Sequence, residues 1–189
     1  MLADYLRQAG AELKIVRNDA PLADLIAGDY DAIILSPGPE IPSKAGNLMA
    51  ILSYYHDKLP ILGICLGHQA IGEFFGATLV KGAVPVHGKV HLVNKVKDHV
   101  MLTGLPEGFM VTRYHSLELR NLPEDLEVFL ETEKKEIMAI AHKVLPIVGI
   151  QFHPEAYLTT YGLDLIKNWV NSNVEIVQKV LTPIAEENG

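Results

Sequence analysis

Leu59-Pro60-Ile61-Leu62-Gly63-Ile64-Cys65-Leu66-Gly67-His68-Gln69 is the stretch that decides the fold. Its apolar residues from Leu59 to Ile64 read as a short buried strand, and His68 to Phe75 reads as the start of a helix. Between them stands the one cysteine of the 189 residues, with a glycine two positions away on either side. A core strand gains nothing from such glycines. A sharp turn does. G-x-C-x-G between strand and helix is the thiol form of a nucleophile elbow, which lifts a reactive atom off the end of a sheet. The glycines also let other backbone segments approach that atom. At a helix N-terminus the dipole favours the thiolate, the reactive form of the sulfur.

A catalytic thiol needs a base. Gly149-Ile150-Gln151-Phe152-His153-Pro154-Glu155 offers one. Ile147 to Phe152 reads as another strand, and Pro154 stops it just past His153. Glu155 follows two residues on, within reach of the imidazole after a turn. A carboxylate on one ring nitrogen fixes the tautomer and leaves the other nitrogen for the thiol. His56, His87, His91, His99 and His142 have no comparable setting. Cys65, His153 and Glu155 are therefore the candidate catalytic residues.

Outward from these two blocks, strands and helices alternate. Leu2, Tyr5, Leu6 and Ala9 fall at helical spacing, with Gly10 as the cap. Leu13–Val16 reads as a strand, Leu22–Ile26 as a helical turn, Asp31–Leu35 as a strand and Ala45–Tyr55 as a helix. From Thr78 to Val96 the pattern shifts, with Val84, Val86, Val90, Leu92 and Val96 alternating as in antiparallel ribbons. Met110–Tyr114, Leu126–Leu130 and Glu136–His142 continue as strands, and a helix covers about 161–171. The pattern predicts an α/β fold: a doubly wound, largely parallel central sheet with flanking helices and a smaller antiparallel ribbon region. Residues 1–189 are expected to form a single domain, with 181–189 as a frayed tail. Ser36-Pro37-Gly38-Pro39, Cys65 and His153 each follow a predicted strand. In doubly wound sheets, pockets form beyond the carboxyl ends of strands.

Composition narrows the function classes. Apolar residues make up 49% of the chain, enough for a sizeable core. Sixteen Lys and Arg stand against 23 Asp and Glu, a formal charge of −7 with no basic cluster. That balance argues against nucleic acid or an anionic membrane as partner. One cysteine excludes an internal disulfide and suits a reducing compartment, so a cytoplasmic location is expected. No apolar run is long enough to span a bilayer, and the scattered His lack metal-ligand spacing. No metal or cofactor is expected.

Four blocks together resemble the class I (triad) glutamine amidotransferases: Leu35-Ser36-Pro37-Gly38-Pro39, Gly63 through Gln69, Arg113-Tyr114-His115-Ser116-Leu117, and Gly149 through Glu155. More narrowly, they resemble the small subunits of anthranilate synthase and aminodeoxychorismate synthase. Val16-Arg17-Asn18-Asp19, Glu136–Ile140 and Leu158-Thr159-x-Tyr161-Gly162 support that branch. The resemblance implies that glutamine is hydrolysed to glutamate and ammonia, and that ammonia passes to a chorismate-binding large synthase subunit. It implies an oxyanion site at the backbone N–H groups of Gly38 and Leu66. It also implies substrate contacts from Gly38, Pro39, Glu40, Gln69, Ser116 and Leu117. The alternatives are a stand-alone γ-glutamyl cysteine hydrolase and a non-enzymatic regulatory subunit.

The chain departs from the family pattern at three points. Glu40 stands where glycine is usual; if the position needs a positive φ, glutamate is strained there by roughly 1–2 kcal/mol. Relatives open with a strand and a turn before the first helix, whereas Met1 here falls inside that helix, so an interior strand is expected to be missing. Ala156 replaces the serine usual in the chorismate-linked branch.

Overall fold

Alternation along Ile61–Ile64 sends Leu62 and Ile64 to one face of a sheet and Ile61 to the other, and all are buried. The computed structural model describes residues 1–82 and 86–181, with side chains through Asn173. Its elements run α1 (Leu2–Gln8), α2 (Leu22–Ile26), β1 (Ile33–Leu35), α3 (Leu48–Tyr55), β2 (Ile61–Ile64), α4 (Leu66–Phe75), β3 (Thr78–Lys81) and β4 (Lys89–Lys95). There follow β5 (Gly108–Arg113), β6 (Leu117–Arg120), β7 (Leu126–Thr132), β8 (Ile137–His142), β9 (Ile147–Ile150) and α5 (Gly162–Leu181). Among the described residues the main sheet has seven strands in the order β1-β2-β9-β8-β7-β4-β5.

Helices cover both faces. Leu62 and Ile64 pack with Leu6 of α1 and with Leu165, Ile166 and Trp169 of α5. Ile61 packs with Leu48, Leu52 and Tyr55 of α3 and with Leu66, Ala70 and Ile71 of α4. This is the α/β layering expected from the sequence. The parallel block is β1, β2 and β9, the strands that lead into the two quoted motifs. Beyond β9 the strands pair antiparallel. The antiparallel ribbons extend the central sheet, because β8 and β9 are joined by a short turn that reverses the chain. Among the described residues only β3 and β6 form a separate two-stranded sheet, and β6 has no clear signal in the sequence.

Leu13–Val16 does not form the expected strand. Ile15 is 71% exposed, and residues 11–17 run as irregular backbone. Among the described residues β1 is an edge strand of the main sheet and pairs only with β2, and the segment does not take up its free edge. Helix α5 runs ten residues beyond the end expected for it, to Leu181. Val84 and residues 182–189 of the expected tail lie outside the described residues. No described helix is long and apolar enough to cross a membrane.

Candidate active site

Strands β2 and β9 run parallel with Ile64 opposite Ile150, so both chains leave the sheet at the same level. Cys65 exits β2 there, and its N–H donates to the Ile150 carbonyl at 2.8 Å. The backbone turns at once, with Cys65 at φ 51 and ψ −96, a strained conformation for a non-glycine residue. Cys65 is also the N-cap of the ten-residue α4, and its carbonyl accepts the Gln69 N–H at 3.1 Å. The flanking glycines act mainly through packing. A Cβ on Gly63 would strike the Gly67 backbone, and one on Gly67 would strike the Leu35 carbonyl. Their absence lets α4 nest on β1 and β2 and sets where the sulfur stands. Cys65 is 8% exposed, so its surroundings are dry but not closed.

His153 is held by its backbone. Its N–H donates to the Thr112 carbonyl at 3.0 Å. The Thr159 hydroxyl donates to the His153 carbonyl at 2.7 Å and accepts the Thr112 N–H at 3.0 Å. One hydroxyl thus ties the turn after β9 to β5. Gly162 opens α5 against the Pro154 carbonyl, where any Cβ would collide with that oxygen. The ring is fixed in turn: Nδ1 lies 2.8 Å from Glu155 Oε1, and Tyr114 packs edge-on with ring centroids 5.2 Å apart.

Electrostatics favour a charged ring. Burial of His153 opposes the imidazolium, but hydrogen bonds to Cys65 and to Glu155, with the negative charge on both, outweigh it and push its pKa up to about 9. Glu155 Oε2 is buried with no hydrogen-bond partner among the described residues, which leaves His153 as the main partner of that carboxylate. The structure therefore brings Cys65, His153 and Glu155 together, from positions 65, 153 and 155, at the end of the parallel block.

Gly38 lies against Leu66, with its Cβ position 3.0 Å from Leu66 Cδ2. Pro39 and Glu40 continue the same exposed loop, and Glu40 stands at φ 72, the positive φ that the glycine pattern suggested. Gln69 is buried, and its Nε2 donates to the Leu117 carbonyl at 3.4 Å. Ser116 is exposed, and its carbonyl accepts the Gly82 N–H at 2.8 Å. No group of three or more His, Cys, Asp or Glu among the described residues could hold a metal ion.

Two further residues hold the site without standing out in the sequence. Thr159 lies inside a motif that marks the branch and otherwise gives no sign of its role. Gln151 lies fully buried beside the sulfur, with Nε2 3.7 Å from Cys65 Sγ. The available signal is a glutamine inside an otherwise apolar strand end, since a buried amide must find partners.

Comparison with known proteins shows the family and the fold. The family model described as glutamine amidotransferase class-I matches residues 1–172. Aminodeoxychorismate synthase component 2 of Klebsiella aerogenes is 43% identical over 173 residues, covering 90% of this chain and 92% of that one. Anthranilate synthase component 2 of Azospirillum brasilense is 43% identical over 175 residues, covering 90% and 89%. The crystal structure of a Thermoplasma acidophilum protein, described as one subunit of a GMP synthase, superposes with a TM-score of 0.84 at 30% identity, covering 95% of this chain and 89% of that one. The chain belongs to the class-I glutamine amidotransferase family.

Proposed function

We propose that this protein is the glutaminase subunit of a chorismate-using synthase, with Cys65 as nucleophile, His153 as acid and base, and Glu155 as the group that orients His153. One observation carries the reading: a strained cysteine at a helix N-terminus shares an imidazole with a carboxylate 2.8 Å from its other side. Glu155 takes Nδ1, which leaves Nε2 for the thiol.

The thiolate attacks the carboxamide carbon of glutamine. The N–H groups of Leu66 and Gly38 hold the oxyanion, fixed before the reaction begins. His153 passes its proton to the leaving nitrogen, the C–N bond breaks, and ammonia departs. His153 then takes a proton from water, whose oxygen attacks the glutamyl thioester and releases glutamate and the thiolate. The amino-acid end of the substrate lies against Gln69 and the backbone of Ser116 and Leu117, with Pro39 and Glu40 on the facing loop. Gln69 commits its amide nitrogen to Leu117, so its carbonyl oxygen is the group left for the substrate ammonium.

Ammonia released into neutral water is protonated and lost as a nucleophile, so a partner must receive it directly. The relatives named above are second components of two synthases, and both names match at the same 43% identity. The reading therefore covers anthranilate and aminodeoxychorismate formation alike, in the cytoplasm. The test is covalent labelling by a diazo-ketone analogue of glutamine, with and without candidate large subunits. Labelling that needs the large subunit, and vanishes in Cys65→Ser, is expected. Rapid labelling without a partner would favour the stand-alone hydrolase. A large subunit that binds the chain but elicits no labelling would favour the regulatory subunit.

A further inference from the structure

We propose that Gln151 is a positioning residue for Cys65, holding a hydrogen-bond donor against the sulfur so that it stays in place as the thiolate. This rests on Cys65 being the nucleophile. The direction of the Gln151 amide follows from a chain of buried hydrogen bonds that begins at a group able only to donate.

That group is Arg113, 1% exposed, with its two terminal nitrogens on the Glu136 carboxylate at 2.8 and 2.9 Å. Its Nε donates to His115 Nε2 at 3.0 Å. Arginine has no acceptor, so Nε2 must be the bare nitrogen and Nδ1 must carry the proton. Nδ1 then donates to the Leu117 carbonyl at 2.8 Å. Burial and the Arg113 charge lower the His115 pKa to about 4, which keeps this neutral tautomer at working pH. A carbonyl can only accept, so the Gln69 atom 3.4 Å from it is the amide nitrogen. The same nitrogen meets Gln151 at 3.3 Å, where only the Gln151 oxygen can accept it. The NH2 of Gln151 is left pointing at Cys65 Sγ, 3.7 Å away.

A flipped Gln151 would oppose two donors at Gln69 and two electron-rich atoms at the sulfur. The chain thus excludes that rotamer. A donor held on a charged acceptor in a dry site favours the thiolate over the thiol. The donor and the imidazolium of His153 reach the sulfur from different residues, so losing one leaves the other.

The test is the pH dependence of Cys65 alkylation by iodoacetamide, read by intact mass on the full chain. Gln151→Met keeps the length and removes the donor. Gln151→Glu keeps the shape and sets a carboxylate against the sulfur. Gln69→Leu keeps Gln151 but frees its amide to turn. Expected is an upward shift of the alkylation midpoint by about one pH unit in Gln151→Met, with about ten-fold slower labelling at pH values below the wild-type midpoint. Gln151→Glu shifts it further, and Gln69→Leu shifts it less. Thermal melts identify any variant that fails to fold, and the other two then carry the test. Folded variants that follow the wild-type curve overturn the role of Gln151 and leave the nucleophile untouched. A wild-type Cys65 inert at every pH sinks the nucleophile assignment, and this inference with it.

Discussion

Replacing Glu40 by glycine separates two effects that this chain combines at one position. Glu40 stands at φ 72, where the Cβ of an L-residue crowds the following carbonyl at a cost of about 1–2 kcal/mol. Glycine removes that cost but loosens the unfolded chain, which offsets about 0.4–1 kcal/mol. A net gain of about 0.5–1 kcal/mol remains, which for a chain of this size raises Tm by about 1–4 °C. The charge acts separately. Two unit charges 4 Å apart in water interact by about 1 kcal/mol, and Glu40 is exposed, so relief of repulsion against the glutamine carboxylate lowers KM by at most about five-fold.

Three variants divide these terms. Glu40→Gln removes the charge and keeps the Cβ: KM falls while the unfolding free energy stays within about 0.5 kcal/mol of wild type. Glu40→Asn removes the charge and tolerates the left-handed region, so it gains part of the stability as well. Glu40→Gly gains both in full. Calorimetric melts give the first quantity, and glutamate release in the presence of the large subunit gives the second. A Glu40→Gly protein that melts at or below wild type refutes the strain argument. A KM that falls in Glu40→Gly but not in Glu40→Gln refutes the charge argument.

Gly67→Ala places a Cβ on the Leu35 carbonyl oxygen, a backbone atom that cannot turn aside; a loss of about 1–3 kcal/mol in chemical denaturation and slower Cys65 alkylation are expected, and a melt unchanged within error would contradict the nesting of α4. The pH dependence has a definite sign. Burial works against the His153 charge, but the bonds to Cys65 and Glu155 raise its pKa from 6.5 to about 9. A raised pKa stabilises the fold fully below about pH 6.5, and that contribution is lost as pH rises through about 9. Glutamate release should decline over the same upper limb as the leaving nitrogen loses its proton donor, and Glu155→Gln should move that limb down; a limb that does not move refutes the pairing.

The legible part of this molecule is local. The strand-turn-helix at Cys65 is readable because its glycines, its apolar run and its helix start are contiguous, and the β9 block is readable for the same reason. Glu155 can be placed because a two-residue offset and a proline leave the carboxylate few places to go. The unread part depends on partners remote in sequence. Leu13–Val16 has strand composition but pairs with no strand among the described residues, and composition does not report a missing partner. The β4, β5, β7 and β8 ribbons read as antiparallel, yet their attachment to β9 is a matter of register across the sheet. Gln69 and Gln151 meet across 82 positions, and an amide in an apolar run gives no sign of which amide completes it.

The same contrast explains why the elbow keeps its strain. A residue at φ 51 and ψ −96 relaxes unless its neighbours prevent it. Here the Cys65 N–H is fixed to Ile150, and α4 is pressed onto Leu35 and Gly63 by the bare Gly67. The next turn is wedged by His68, fully buried, whose Nδ1 lies 2.9 Å from where a Cβ on Gly149 would stand. The restraints come from β1, β2 and β9 together, so relaxing the cysteine requires moving one of these strands within a close-packed core. Sensitivity should therefore be unequal around the site. The exposed loop at Glu40 adjusts with small effects on affinity, whereas one methyl at Gly63, Gly67 or Gly149 shifts the strand or helix that aims the sulfur. A misplacement near 1 Å at the reacting atom costs on the order of 100-fold in rate. Alanine at these glycines should thus lower kcat far more than it raises KM, the reverse of the balance expected at Glu40.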